Sequence, residues 1–82
     1  MAGEAIRQAV DNQLRDNDPP ETRQTFERLI VEGHKEEAAR ELIAVVMAGE
    51  IFEIMKLGRE FDLSGYVEAL RRLPALPEGL EE

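Results

Sequence analysis

The densest apolar segment of the chain runs from Lys35 to Leu57 and contains no proline. Its apolar residues recur at intervals of three and four, the spacing of residues that share one side of a helix. They form two adjoining faces, the first with Ala38, Leu42, Val45, Val46, Gly49 and Phe52 and the second with Ala39, Ile43, Met47, Ile51, Ile54 and Met55. Because a helix with two apolar faces needs cover on both, we expect this segment to be the central element of the fold.

Shorter helical patterns lie on both sides of the central segment. A first predicted helix covers residues 4–16, and a second covers about residues 19–32. A last helix follows a five-residue link and covers residues 63–73. Their predicted apolar faces are Ile6, Val10 and Leu14; Thr22, Phe26, Leu29 and Ile30; and Leu63, Tyr66, Val67, Leu70 and Leu73.

The second helix has the clearest predicted start. Asp18 precedes a proline pair and is suited to the N-cap, and Glu21 stands three residues later, as in a capping box. Prolines in the first turn are tolerated because their missing N–H groups have no partner there. Gly33 is suited to the left-handed position that closes this helix, and Gly58 ends the central one.

The last helix carries a comparable start signal. Asp62 is its predicted N-cap, and Phe61 just before it is placed to pack on Tyr66 as a hydrophobic staple. Four helices with short links and no strand pattern predict an all-α fold, a small four-helix bundle or array around one long central helix. We interpret residues 1–73 as a single domain. Residues 74–82 are expected to be a tail without fixed structure, because Pro74 and Pro77 stop the helix.

Several motifs follow one another over roughly residues 4–73. They are Asn17-Asp18-Pro19-Pro20-Glu21, then Thr25-Phe26-Glu27-Arg28-Leu29 with Glu32-Gly33, then Lys56-Leu57-Gly58-Arg59-Glu60-Phe61-Asp62 followed by Tyr66 and Ala69-Leu70-Arg71. This order resembles a family of small uncharacterised bacterial all-helical proteins. The resemblance implies a helical architecture and a bacterial origin, and it implies no catalytic residue. Members often carry histidines where this chain has Ala38-Ala39-Arg40-Glu41, so a histidine role is not transferred.

Composition limits the classes of partner. The 82 residues carry a net charge of −8, which disfavours nonspecific binding to nucleic acid because that binding depends on basic residues. The absence of cysteine excludes disulfides and thiolate metal sites and fits a reducing compartment. The apolar run from Leu42 to Gly49 is much shorter than the roughly 20 residues of a membrane span. Gly3, Glu4 and Arg7 interrupt any apolar leader. We therefore expect a cytoplasmic protein that binds neither nucleic acid nor membrane.

Candidate chemistry is sparse, and no catalytic or cofactor-binding residue is predicted. His34, Glu37 and Glu41 are spaced to share a helical face and are weak candidates for a metal site, with a solvated helix start as the simpler interpretation. Glu50 and Glu53 resemble the inward carboxylates of di-metal bundles, but those bundles also need histidines, so pairing with an arginine or solvent is the simpler interpretation.

Two functional classes are left. The first is a noncatalytic interaction module, either a homodimer or a receptor for a helical protein partner. Its predicted interface is the second face of the central helix, with Ile43, Met47, Ile51, Ile54 and Met55, because the other helices suffice to cover only the first. The alternative is a small metal- or ligand-dependent enzyme or sensor that uses the carboxylates near His34. An acidic mimic of nucleic acid has only the net charge in its favour.

Overall fold

Four α-helices make up most of the computed structural model, which describes residues 2–76. They are α1 (Ala2–Asp16), α2 (Pro20–Val31), α3 (Glu36–Leu57) and α4 (Leu63–Arg72). The described residues contain no strand, and α3 contacts each of the other three helices. The predicted all-α fold around one long central helix is therefore confirmed.

The start of α2 differs from the prediction at Asp18. Pro19 occupies the N-cap with an extended backbone, Pro20 is the first helical residue, and no side chain caps the helix. The exposed Asp18 instead follows Asn17, whose positive φ of 53° ends α1, and the Asp18 backbone N–H donates to Gln13 at 3.2 Å. The predicted cap and capping box are wrong because either proline could supply the first helical residue, and the second one does.

The end of α2 is a Schellman motif closed by Gly33. Its φ is 107°, and its backbone N–H donates to the Ile30 carbonyl at 3.0 Å. The next N–H, of His34, donates to the Leu29 carbonyl at 3.0 Å. Gly58, with a φ of 65°, ends α3 in the same left-handed region. Both glycine predictions are confirmed, and the positive φ explains why glycine stands there.

The predicted start of α4 is also confirmed. The Asp62 side chain accepts a hydrogen bond from the Gly65 backbone N–H at 3.1 Å. The rings of Phe61 and Tyr66 lie 5.5 Å apart, centroid to centroid, as expected for a hydrophobic staple. Leu63, predicted on the buried face, is half exposed at the first helical position.

The core contains residues of all four helices and lies against the N-terminal half of α3. Its buried apolar residues are Val10, Leu14, Leu29, Ala39, Ile43, Val46, Met47, Tyr66, Leu70 and Leu73. Leu76, in the predicted tail, packs partly buried against this core, and residues 77–82 of that tail lie outside the described part of the chain. Within residues 2–76, no helix is both long enough and apolar enough to cross a membrane.

Candidate interaction surface

The other helices bury parts of both apolar faces of α3, whereas the first face alone was predicted to be buried. Val46 of that first face is buried as expected. Ile43 is fully buried and Met47 is 6% exposed, although both were assigned to an intermolecular interface. Phe52, assigned to the core, is 61% exposed. The two apolar faces adjoin, so the periodicity did not show which one the shorter helices would cover. Contacts between distant parts of the chain decide that choice, and they turn Ala39, Ile43 and Met47 inward.

The C-terminal part of α3 extends beyond α1, the helix that covers its neighbouring side. The 22 residues of α3 correspond to about 33 Å, whereas the 15 residues of α1 correspond to about 22 Å. The two helices run antiparallel, since Asp11 of α1 pairs with Arg40 of α3 and Gly3 of α1 lies beside Ala48. The groove there is lined by Gly3, Ile6, Arg7, Glu41, Ala44, Val45 and Ala48. Past Ala48, α1 gives no cover to α3 in the described structure.

We call residues 51–57 of α3 the overhang. Its exposed apolar side chains are Ile51 (38% exposed), Phe52 (61%), Met55 (79%) and Leu57 (62%). Phe52 follows Ile43 by about two and a half helical turns, and Met55 follows Val46 by the same interval. Both exposed side chains therefore lie on the side of α3 opposite the core. Exposed Phe61 and Leu63 follow in the α3–α4 link and at the start of α4.

Only two of the five predicted interface residues are exposed at the surface. Ile51 and Met55 are exposed, Ile54 is partly buried, and Ile43 and Met47 belong to the core described above. The prediction missed Phe52, which was placed on the wrong face. The signal that could have found it is helix length, because the predicted α1 was too short to cover all of α3.

Ion pairs hold the base of the overhang against the α3–α4 link. Arg59 binds Glu50 at 3.1 Å and Glu53 at 3.2 Å, and the Glu50 carboxylate also accepts the Asp62 backbone N–H at 3.0 Å. The hydrogen bonds to Glu50 and then to Glu53 raise the pKa of the Arg59 guanidinium above its ordinary value. These contacts confirm the arginine pairing of the two glutamates and leave no inward carboxylate pair.

Lys56 lies beside the apolar side chains of the overhang. Its ammonium nitrogen is 5.7 Å from the centroid of the Phe52 ring, within the range of a cation–π contact. The exposed side of the overhang therefore combines apolar groups with a basic side chain. Glu53, also exposed, follows Phe52 directly and lies three positions before Lys56.

The weak metal candidates do not form a metal site in the described structure. His34 is in the turn after α2, and Glu41 forms an ion pair with Arg7 of α1 at 2.6 Å. Glu37 and Glu41 line a cavity of about 100 Å³ together with Arg7, Val10, Asp11 and Arg40, and His34 is not among its lining residues. Among residues 2–76, no group of three or more His, Cys, Asp or Glu side chains could hold a metal ion.

A polar cluster inside the bundle was not predicted. The Gln13 side-chain oxygen accepts hydrogen bonds from the Tyr66 hydroxyl at 2.9 Å and the Thr22 hydroxyl at 2.8 Å. Burial raises the pKa of Tyr66 above its ordinary value, and the nearby Thr22 hydroxyl, 3.5 Å from the phenol oxygen, partly opposes that effect. The predicted place of Tyr66 on the buried face of α4 is confirmed, since the side chain is 1% exposed.

Comparison with known proteins gives no relative from which a function could be transferred. No family model matches the chain. Neither a curated protein nor a solved structure matches it. The resemblance to a bacterial helical family therefore stays a prediction.

Proposed function

We propose that this chain is a noncatalytic self-association module of a bacterial cytosolic protein and that two copies pair through the overhang of α3. The observation that carries the proposal is the exposure of Phe52 and Met55 on a helix side that no other described element covers. The cytosolic location is supported by the absence of cysteine, and the bacterial origin by the resemblance alone.

Burial of these side chains would supply the main driving force. Removing a Phe or Met side chain fully from water contributes about 1.5–3 kcal/mol. In a symmetric pair, the same residues of both copies are buried together, so each contribution occurs twice. Part of this free energy offsets the lost translational and rotational freedom of two chains.

Charge favours a second copy at this surface over contacts elsewhere on the molecule. The overhang contains one glutamate and one lysine and therefore has no net charge, whereas the whole chain has −8. Two copies that met through most other surfaces would therefore bring acidic groups together. The overhang is a place where two acidic molecules can approach with little mutual repulsion.

Sedimentation equilibrium over a range of concentrations tests the proposal. The wild-type chain should be a dimer at hundreds of micromolar, and Phe52→Glu should be a folded monomer under the same conditions. Val31→Glu is the matched control, because Val31 is 86% exposed at the end of α2 and undergoes the same change of charge. That control should remain dimeric. A wild-type chain that stays monomeric at hundreds of micromolar would contradict the proposal.

A further inference from the structure

The overhang carries two opposite charges on one flank. Glu53 and Lys56 are three positions apart and therefore lie about 60° apart around α3. They border the exposed apolar side of Phe52 and Met55. The opposite flank of the overhang, where Ile51 lies, contains no charged residue.

We infer that the two copies pair as antiparallel α3 helices about a twofold axis between residues 53 and 54, with Glu53 of each copy bound to Lys56 of the other. This inference rests on the proposed function and adds the orientation of the pair. In such an arrangement, Phe52 lies level with Met55 of the second copy, so the most exposed side chains of the overhang meet.

The antiparallel orientation follows from the position of the charges. When the twofold axis is perpendicular to the two helices, it reverses the direction of the second helix but keeps its charged flank on the same side of the pair. The charged flanks of the two copies therefore meet. Glu53 and Lys56 of the second copy are then offset by about 3 Å along the helix axis, which their side chains can span. The contact forms twice.

A parallel pair lacks this complementarity. An axis along the helices brings the charged flank of one copy against the opposite flank of the other, where the overhang presents the uncharged Ile51. Glu53 and Lys56 would then lose water without an oppositely charged neighbour in the second copy, which is unfavourable.

Intramolecular contacts do not prevent the pairing. Arg59 binds one carboxylate oxygen of Glu53, and the other oxygen accepts no hydrogen bond within residues 2–76, so it can accept one from a second copy. Lys56 makes no ion pair within the described part of its own chain and rests over Phe52.

Charge exchange between two variants tests this orientation. Glu53→Lys gives a copy with two basic residues at positions 53 and 56, and Lys56→Glu gives a copy with two acidic residues there. Each variant alone should dimerise about ten-fold more weakly than the wild type, because both contacts become repulsive. An equimolar mixture of the two should form a mixed dimer with nearly the wild-type affinity, because both contacts are restored with their signs exchanged.

The mixture separates the orientation from other effects of the substitutions. Each chain in it has the same intramolecular losses as the variant alone, including the broken contact between Glu53 and Arg59, so only intermolecular contacts differ. Glu27→Lys on α2 is the control for net charge and should not weaken the dimer. A mixture that associates no better than either variant alone would overturn the antiparallel arrangement. If the mixture failed in this way but the wild type still formed a dimer and Phe52→Glu stayed monomeric, the proposed function would stand without the antiparallel orientation.

Discussion

The hydroxyl of Tyr66 donates a hydrogen bond to the side-chain oxygen of Gln13 at 2.9 Å and thereby joins α4 to α1. These two helices have no backbone packing contact in the described structure, since each packs against α2 and α3 instead. Thr22 of α2 donates to the same oxygen, so one amide group links three helices. The cluster therefore ties the three outer helices to one another.

Removal of the Tyr66 hydroxyl should weaken the bundle without unfolding it. Tyr66→Phe keeps the buried ring and leaves Gln13 bonded to Thr22, so we expect a loss of about 0.5–1.5 kcal/mol in the free energy of unfolding. Urea denaturation measures this loss. An unchanged midpoint would show that the hydrogen bond adds nothing to the stability of the fold.

Alkaline pH should destabilise the protein through the same residue. The pKa of Tyr66 is raised above its ordinary value of 10.0, mainly by burial, so the folded state favours the protonated phenol. This contribution is present below the unfolded pKa and is lost as the pH rises through the folded pKa. Tyr66 is the single tyrosine, so the absorbance of tyrosinate follows its titration directly. Above about pH 10, the decline in stability should be smaller for Tyr66→Phe than for the wild type.

The two aspartates that precede helices should respond differently to replacement. Asp62→Ala removes the side-chain cap of α4 and should cost about 0.5–2 kcal/mol. Asp18→Ala should leave the unfolding free energy almost unchanged, because the N-cap of α2 is Pro19 and no side chain caps it. Equal losses in urea denaturation would contradict this assignment of the helix starts.

Two methionines of α3 should separate folding from association. Met47→Glu places a carboxylate in the core and should cost about 3–5 kcal/mol, enough to unfold a domain of this size. Met55→Glu changes a residue that is 79% exposed and should give a folded chain that no longer pairs. Circular dichroism reports the first effect and light scattering the second. A folded, monomeric Met47→Glu would mean that this side chain belongs to the interface after all.

Local signals predicted most of the helix ends. Gly33 and Gly58 show where α2 and α3 end, because glycine best tolerates the left-handed backbone. Asp62 and Phe61 show where α4 begins, because the cap and the staple involve only residues close in sequence. Asp18 misled the prediction because two successive prolines offer two possible first helical residues. The local sequence is compatible with both.

The candidate surface could be located only from the tertiary structure. The two apolar faces of α3 adjoin, and only the packing of the other helices shows that Ile43 is inside and Phe52 outside. The cluster of Gln13, Thr22 and Tyr66 could not be predicted from the sequence either, because its members lie on three different helices. The proposed function rests on association, which a single chain does not display.

The molar mass of the wild-type chain in solution, followed by sedimentation equilibrium from low micromolar to hundreds of micromolar, tests whether two copies pair through the overhang. We expect the mass to rise with concentration from that of one chain to that of two, and Phe52→Glu to hold it at that of one chain. The account would be contradicted by a wild-type mass that remains that of one chain throughout, or by a dimer that Phe52→Glu leaves intact.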